Sequence, residues 1–78
     1  MSITRETGVF RLAFDYSEDL VERVKKLAGA RFDGESRSWT ALVCTQNIDG
    51  LREWFGQGLT DVAVDDLIES GEKVPTVA

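Results

Sequence analysis

The chain has 78 residues, of which 42% are hydrophobic and 29% charged, with two Trp, four Phe, one Cys, no His and a net charge of −5. That length leaves room for a single domain, 1–78, with one modest core burying about 60% of the unfolded surface, and the composition is too apolar for a disordered segment. One Cys excludes an internal disulfide, and no apolar run approaches the roughly 20 residues of a membrane span.

The amino terminus, MSITRETG, lacks the basic start and apolar stretch of a signal peptide, so the expected compartment is the cytoplasm. The charge is unevenly placed. Residues 1–55 hold eight basic and nine acidic side chains, whereas 56–78 hold Asp61, Asp65, Asp66, Glu69 and Glu72 against Lys73 alone. An acidic whole counts against nucleic-acid binding, because phosphate contact draws its free energy from counterions released by Lys and Arg. A local basic patch on the nearly neutral body can still do that work.

In chain order, Val9 to Phe14 alternates, with Phe10, Leu12 and Phe14 on one face, which predicts a half-buried strand. Ser17 is placed to cap a helix whose first turn carries Glu18 and Asp19, suited to the positive end of the helix dipole. Leu20, Val21, Val24, Leu27 and Ala28 form its apolar stripe, Asp19–Arg23 and Glu22–Lys26 are i,i+4 pairs, and Gly29 can take the left-handed conformation that ends it. Ala30 to Asp33 predicts a second strand with Phe32 inward and Arg31 and Asp33 outward. Gly34 to Arg37 is a turn, and Trp39 to Cys44 is a third strand. If the first two strands are parallel through the helix, the third pairs antiparallel between them, in order 2-3-1.

Asn47 caps an expected second helix, Ile48 to Phe55, weakened by Gly50. Thr60 caps an expected third helix from Asp61 to Ser70, with Leu59 and Val64 as a hydrophobic staple and Val64, Leu67 and Ile68 on its apolar side. Residues 72–78 are expected to be a loose end. The fold class is therefore α+β: a three-stranded sheet in the order β-α-β-β-α, covered by helices, with an additional acidic C-terminal helix at 59–71.

Little here points to chemistry. Without His the commonest general base and metal ligand are missing, and Cys44, with no base beside it in sequence, reads as a small buried core residue. Asp61, Asp65, Asp66 and Glu69 lack the glycine-containing oxygen-ligand loop of a calcium-binding hand and read as a solvated helix face. Gly29, Gly34, Gly56 and Gly58 compose no phosphate-binding motif. The expectation is a protein that is not an enzyme and holds no cofactor or metal. What remains is the set of cations Lys25, Lys26, Arg31 and Arg37 around the hairpin, with Arg11 on the sheet. A solvated surface balanced by Glu22, Asp33 and Glu35 accounts for the same residues.

Taken together, the strand ending Phe14-Asp15-Tyr16, then Leu20-Val21, Val24-Lys25, Gly29-Ala30-Arg31-Phe32-Asp33 and Trp39-Thr40 resemble the HARP domain. That is the small module ahead of the motor in SNF2-type annealing helicases, with similar modules in bacterial and phage DNA-processing proteins. The likeness covers residues 9–55. It implies a non-catalytic DNA-binding accessory that recognises duplex or forked structure rather than base sequence and serves a helicase or other DNA-processing partner. Lys25 matches the helix-end lysine of that pattern, Arg31 and Phe32-Asp33 the start of the hairpin, Arg37 the cation of the turn, and Trp39 the aromatic that packs the hairpin on the helix. The absence of a helicase motor and the acidic third helix depart from it.

Two further expectations stand beside this one. An interaction or inhibitor protein would use Asp61, Asp65, Asp66 and Glu69 to dock on a basic partner or imitate the charge of DNA. A homodimer would form through the apolar side of the last helix.

Overall fold

A computed structural model describes residues 1–69 and 71–76. The chain runs β1 (Ser2–Glu6), β2 (Val9–Ala13), α1 (Glu18–Lys25), β3 (Arg31–Asp33), β4 (Ser38–Leu42) and α2 (Thr45–Gly56), then a short 3-10 turn (Val64–Leu67). The four strands lie in the order β1-β2-β4-β3, each neighbouring pair antiparallel. β4 thus sits between β2 and β3, which run parallel to one another across it, the order expected for strands joined by a crossover through the helix.

The sheet has four strands, not the expected three. Ile3 and Arg5 alternate with Ser2, Thr4 and Glu6, and the Thr7-Gly8 turn, with Gly8 at φ +76, folds β1 back on β2. Register places Ile3, Leu12, Trp39 and Phe32 in one row across the sheet, and Arg5, Phe10 and Ala41 in the next row on the same face. Ile3, Phe10, Leu12 and Ala41 are buried there against Val24 of α1, Ile48, Leu51 and Trp54 of α2, and Val64. Full burial of a side chain such as Leu12 contributes about 1.5–3 kcal/mol.

Ser17 stands at the N-cap of α1 in extended backbone, but its hydroxyl makes no capping bond; its carbonyl accepts the amide of Val21 at 2.9 Å. Of the predicted stripe only Val24 is buried, while Leu20, Val21, Leu27 and Ala28 are half-buried. Leu27 and Ala28 lie in the turn beyond the helix. Gly29 follows at φ +67, and a Cβ there would lie 2.5 Å from Leu42 Cγ, so the position requires glycine on two counts.

α2 begins at Thr45, not Ile48, with Cys44 as its buried N-cap residue. Asn47 is therefore not the cap. It sits in the first turn, 1% exposed, and its side-chain amide joins three elements. Oδ1 accepts the amide of Ala28 at 2.8 Å, and Nδ2 donates to the carbonyls of Ala28 at 3.0 Å and Leu42 at 2.7 Å. The first amide of α2, on Thr45, instead donates to the carbonyl of Pro75 at 3.0 Å.

The expected third helix does not form. Its last residue, Ser70, lies outside the described residues, and within 61–69 only Val64–Leu67 is helical, as a 3-10 turn. Tertiary demand overrides the staple. Val64 enters the core with Leu67 and Ile68 packed against it, so the apolar side assigned to a dimer is covered by the chain's own fold. The expected loose end also has a place. Arg5 Nη1 reaches Glu72 and the carbonyl of Leu67, and Val74 packs on the core; Val77 and Ala78 lie outside the described residues. Among the described residues no helix is long and apolar enough to cross a membrane.

Asn47→Ala removes one acceptor and two donors from a buried site and leaves polar groups of Ala28 and Leu42 without these partners. The expected loss is about 3 kcal/mol, read as a lower urea midpoint with an unchanged slope.

Candidate functional site

The five cations expected to meet a ligand fall in three places. Lys25 and Lys26 end α1, Arg31 opens β3 one turn later, and Arg37 closes the four-residue turn at the opposite end of the β3–β4 hairpin. Lys26 lines a cleft between α1 and α2 together with Arg23, which the sequence reading had paired with Asp19. Lys25, Lys26, Arg23, Arg31 and Arg37 are all exposed, and none makes an ion pair or side-chain hydrogen bond among the described residues. The expected pairs Asp19–Arg23 and Glu22–Lys26 do not close.

Arg11 differs from the rest. It lies on the open face of the sheet, where Nε and Nη2 grip both oxygens of Glu6 at 2.7 and 2.9 Å. Nη1 meets Asp33 Oδ2 at 3.0 Å, Ser36 Oγ at 2.6 Å and Ser38 Oγ at 2.7 Å. A guanidinium held in a bidentate carboxylate pair is not available to phosphate without breaking it. The hydrogen bonds from Arg11 hold the carboxyl of Glu6 below the ordinary carboxylate range, and hold that of Asp33 there with help from Ser36 and the Glu35 amide. Arg11 is raised in turn, first by Glu6 and then by Asp33.

This network builds the turn. Asp33 Oδ1 accepts the amide of Glu35 at 3.0 Å, Oδ2 is taken by Arg11 and Ser36, and Asp33 makes no ion pair with Arg37. Arg37 itself has φ +52, a left-handed backbone that a non-glycine residue adopts at a cost of about 1 kcal/mol.

Arg37 lines a groove of about 550 Å3 together with Phe14, Asp15, Tyr16, Phe32 and Trp39. Phe32 shares the core-facing side of the sheet, as its alternation predicts, yet is 56% exposed rather than buried. β3 is the edge strand and the helices leave that edge uncovered. Its ring instead tilts at 60° against Trp39, with centroids 5.4 Å apart. Tyr16, in the link between β2 and α1, is 81% exposed. Neither Tyr16, part of the Phe14-Asp15-Tyr16 strand end, nor Arg23, the expected partner of Asp19, is among the ligand-contacting residues expected from sequence; the signals available were an aromatic outside the strand alternation and a cation in the last turn of a helix.

The acidic residues of the tail are spread, not gathered. Asp65 pairs with Arg52 at 2.6 Å, Asp61 lies 3.9 Å from the terminal amine, and Glu72 binds Arg5, which lowers the Glu72 carboxyl. Among the described residues no three His, Cys, Asp or Glu side chains converge as a metal site requires. Cys44 is fully buried, as expected. No known protein family, curated relative or solved structure matches this chain.

Two outcomes follow from the turn. Because Glu6 and Asp33 titrate lower in the folded protein than unfolded, their stabilisation is complete above the unfolded carboxylate pKa and fades as pH falls through the folded values. Thermal melts of Arg11→Gln are expected to lose less stability than the wild type between about pH 5 and pH 2.5. Arg37→Gly relieves the left-handed strain but frees the unfolded chain, so stability should stay constant or rise by up to about 1 kcal/mol in urea titrations, whereas Arg37→Val should lower it.

Proposed function

We propose that this protein is a non-enzymatic DNA-binding module that touches the phosphate backbone through Lys25, Lys26, Arg31 and Arg37, with Arg23 as a further contact. The observation that carries this reading is the division of the nine Lys and Arg. Arg5, Arg11 and Arg52 are each matched to acids within the fold, and Lys73 is exposed in the tail with no ion pair among the described residues. The cations around the end of α1 and the hairpin have no acid within pairing distance among the described residues, which is the condition a phosphate contact needs.

Ion pairing of the tail supports the same reading. Asp61, Asp65 and Glu72 face internal positive charge, which weakens the repulsion the acidic tail would exert on a polyanion. In this proposal Arg11 acts at one remove: it orders the turn that carries Arg37 and does not contact DNA. The likeness to HARP modules over residues 9–55 suggests duplex or forked DNA as the ligand and a helicase or other DNA-processing protein as the partner. The competing proposal, docking through Asp61, Asp65, Asp66 and Glu69, lacks the helix that was to present those side chains on one face.

Fluorescence anisotropy with labelled duplex and forked DNA tests the reading. Five phosphate contacts predict a loss of affinity of about 500-fold between about 50 and 200 mM salt, with no dependence on base sequence. Arg31→Glu combined with Arg37→Glu should weaken binding at least about tenfold at low salt and flatten the salt slope. Unchanged affinity in that variant, or no binding at low salt, would rule the proposal out.

A further inference from the structure

We propose that the aromatic groove beside the hairpin turn holds an unpaired base of a DNA strand, stacked on the Phe32–Trp39 wall, with Arg37 on the adjoining phosphate. The proposal rests on the DNA-binding reading above and adds to it a single-stranded ligand and a place for it. Three independent features of the groove converge on this ligand.

The first is ring exposure. Tyr16 and Phe32, at 81% and 56%, leave more aromatic surface in water than a chain with seven aromatic residues needs for its core. Open ring faces stack on any base, because every base has a π-face. The second is the state of Arg37. Neither Glu35 nor Asp33, two and four residues away, nor Asp15, which also lines the groove, makes an ion pair with it, so the cation lining the groove has no intramolecular partner among the described residues. The third is the left-handed backbone at Arg37, where glycine would be easier to accommodate. Strain held at a residue facing a cleft is a mark of a functional position.

Other occupants fit less well. β3 offers three residues at the sheet edge, too short for an added strand from a second copy to hold. The groove, at about 550 Å3, lies within the roughly 300–1,000 Å3 range of small-ligand sites. An unpaired nucleotide has both properties the walls ask for, a flat apolar face and a negative charge one bond system away.

Trp39 lies on the groove wall, whereas Trp54 is buried and lines the cleft between α1 and α2, so the quenching that persists in Trp54→Phe reports on the groove. The full chain is titrated at about 50 mM salt with an oligothymidylate of about twelve nucleotides, an abasic strand of the same length and charge, and an oligouridylate. The expected result is saturable quenching by oligothymidylate and at least about tenfold weaker binding of the abasic strand. Phe32→Ala, which removes an exposed ring, should bring the two strands to parity while the melting temperature holds. Arg37→Gly should weaken oligothymidylate binding without loss of stability. Equal affinity for the abasic strand, with Phe32→Ala silent, would overturn the groove and leave backbone binding intact. A tenfold preference for oligouridylate would overturn the assignment to DNA, and no binding of any strand would overturn both this inference and the function on which it rests.

Discussion

The side-chain amide of Asn47 uses its one acceptor and both donors on the backbone of Ala28 and Leu42, so the end of α1, the end of β4 and the start of α2 are joined at a single buried point. A donor–acceptor match of this kind tolerates no slippage, since moving any of the three elements by one residue leaves a polar group without a partner in a dry site. Gly29 adds a steric half to the constraint. Its missing Cβ is the space into which Leu42 fits. Lys25 and Lys26 sit just before this junction and Arg31 just after it, so their relative placement is fixed by an uncharged residue that none of them touches.

At the other end of the hairpin a charged network performs the corresponding task. Arg11 holds Glu6 on β1, Asp33 at the end of β3, and Ser36 and Ser38 around the turn. One guanidinium therefore ties three strands on the face of the sheet that no helix covers. Arg37, four residues beyond Asp33, lines the aromatic groove and makes no ion pair among the described residues.

Much of the scaffold was legible in the residues. The alternation of Phe10 and Leu12, the left-handed glycine after α1, the insertion of β4 between β2 and β3 and the burial of Cys44 all follow from local pattern. β1 was missed because five residues at a chain start offer little periodicity, although Thr7-Gly8 ahead of an alternating run is a turn signal. The C-terminal segment was misjudged for a different reason. Thr60, Leu59 and Val64 make a sound helix start, but only Val64–Leu67 is helical, as a 3-10 turn that buries Val64 with Leu67 and Ile68 against the core, and packing prevailed over propensity. Arg11 was read as a surface cation, for its partners lie at sequence distances of 5, 22, 25 and 27, where no pattern in a single chain can reveal them. Phe32 was placed on the right face with the wrong exposure, since alternation gives the side of a sheet and not where its cover stops.

The same distances separate the molecule into an inner body and an outer strap. The Asn47 junction closes loops of 5 and 19 residues, whereas Arg5 reaches Glu72 across 67 and Leu67 across 62. Closing a longer loop removes more chain entropy, though only logarithmically, and the strap has few buried side chains to offset it. Opening should therefore begin at the strap. The Thr45 amide, bonded to Pro75, is expected to exchange with solvent ahead of the Ala28 amide held by Asn47.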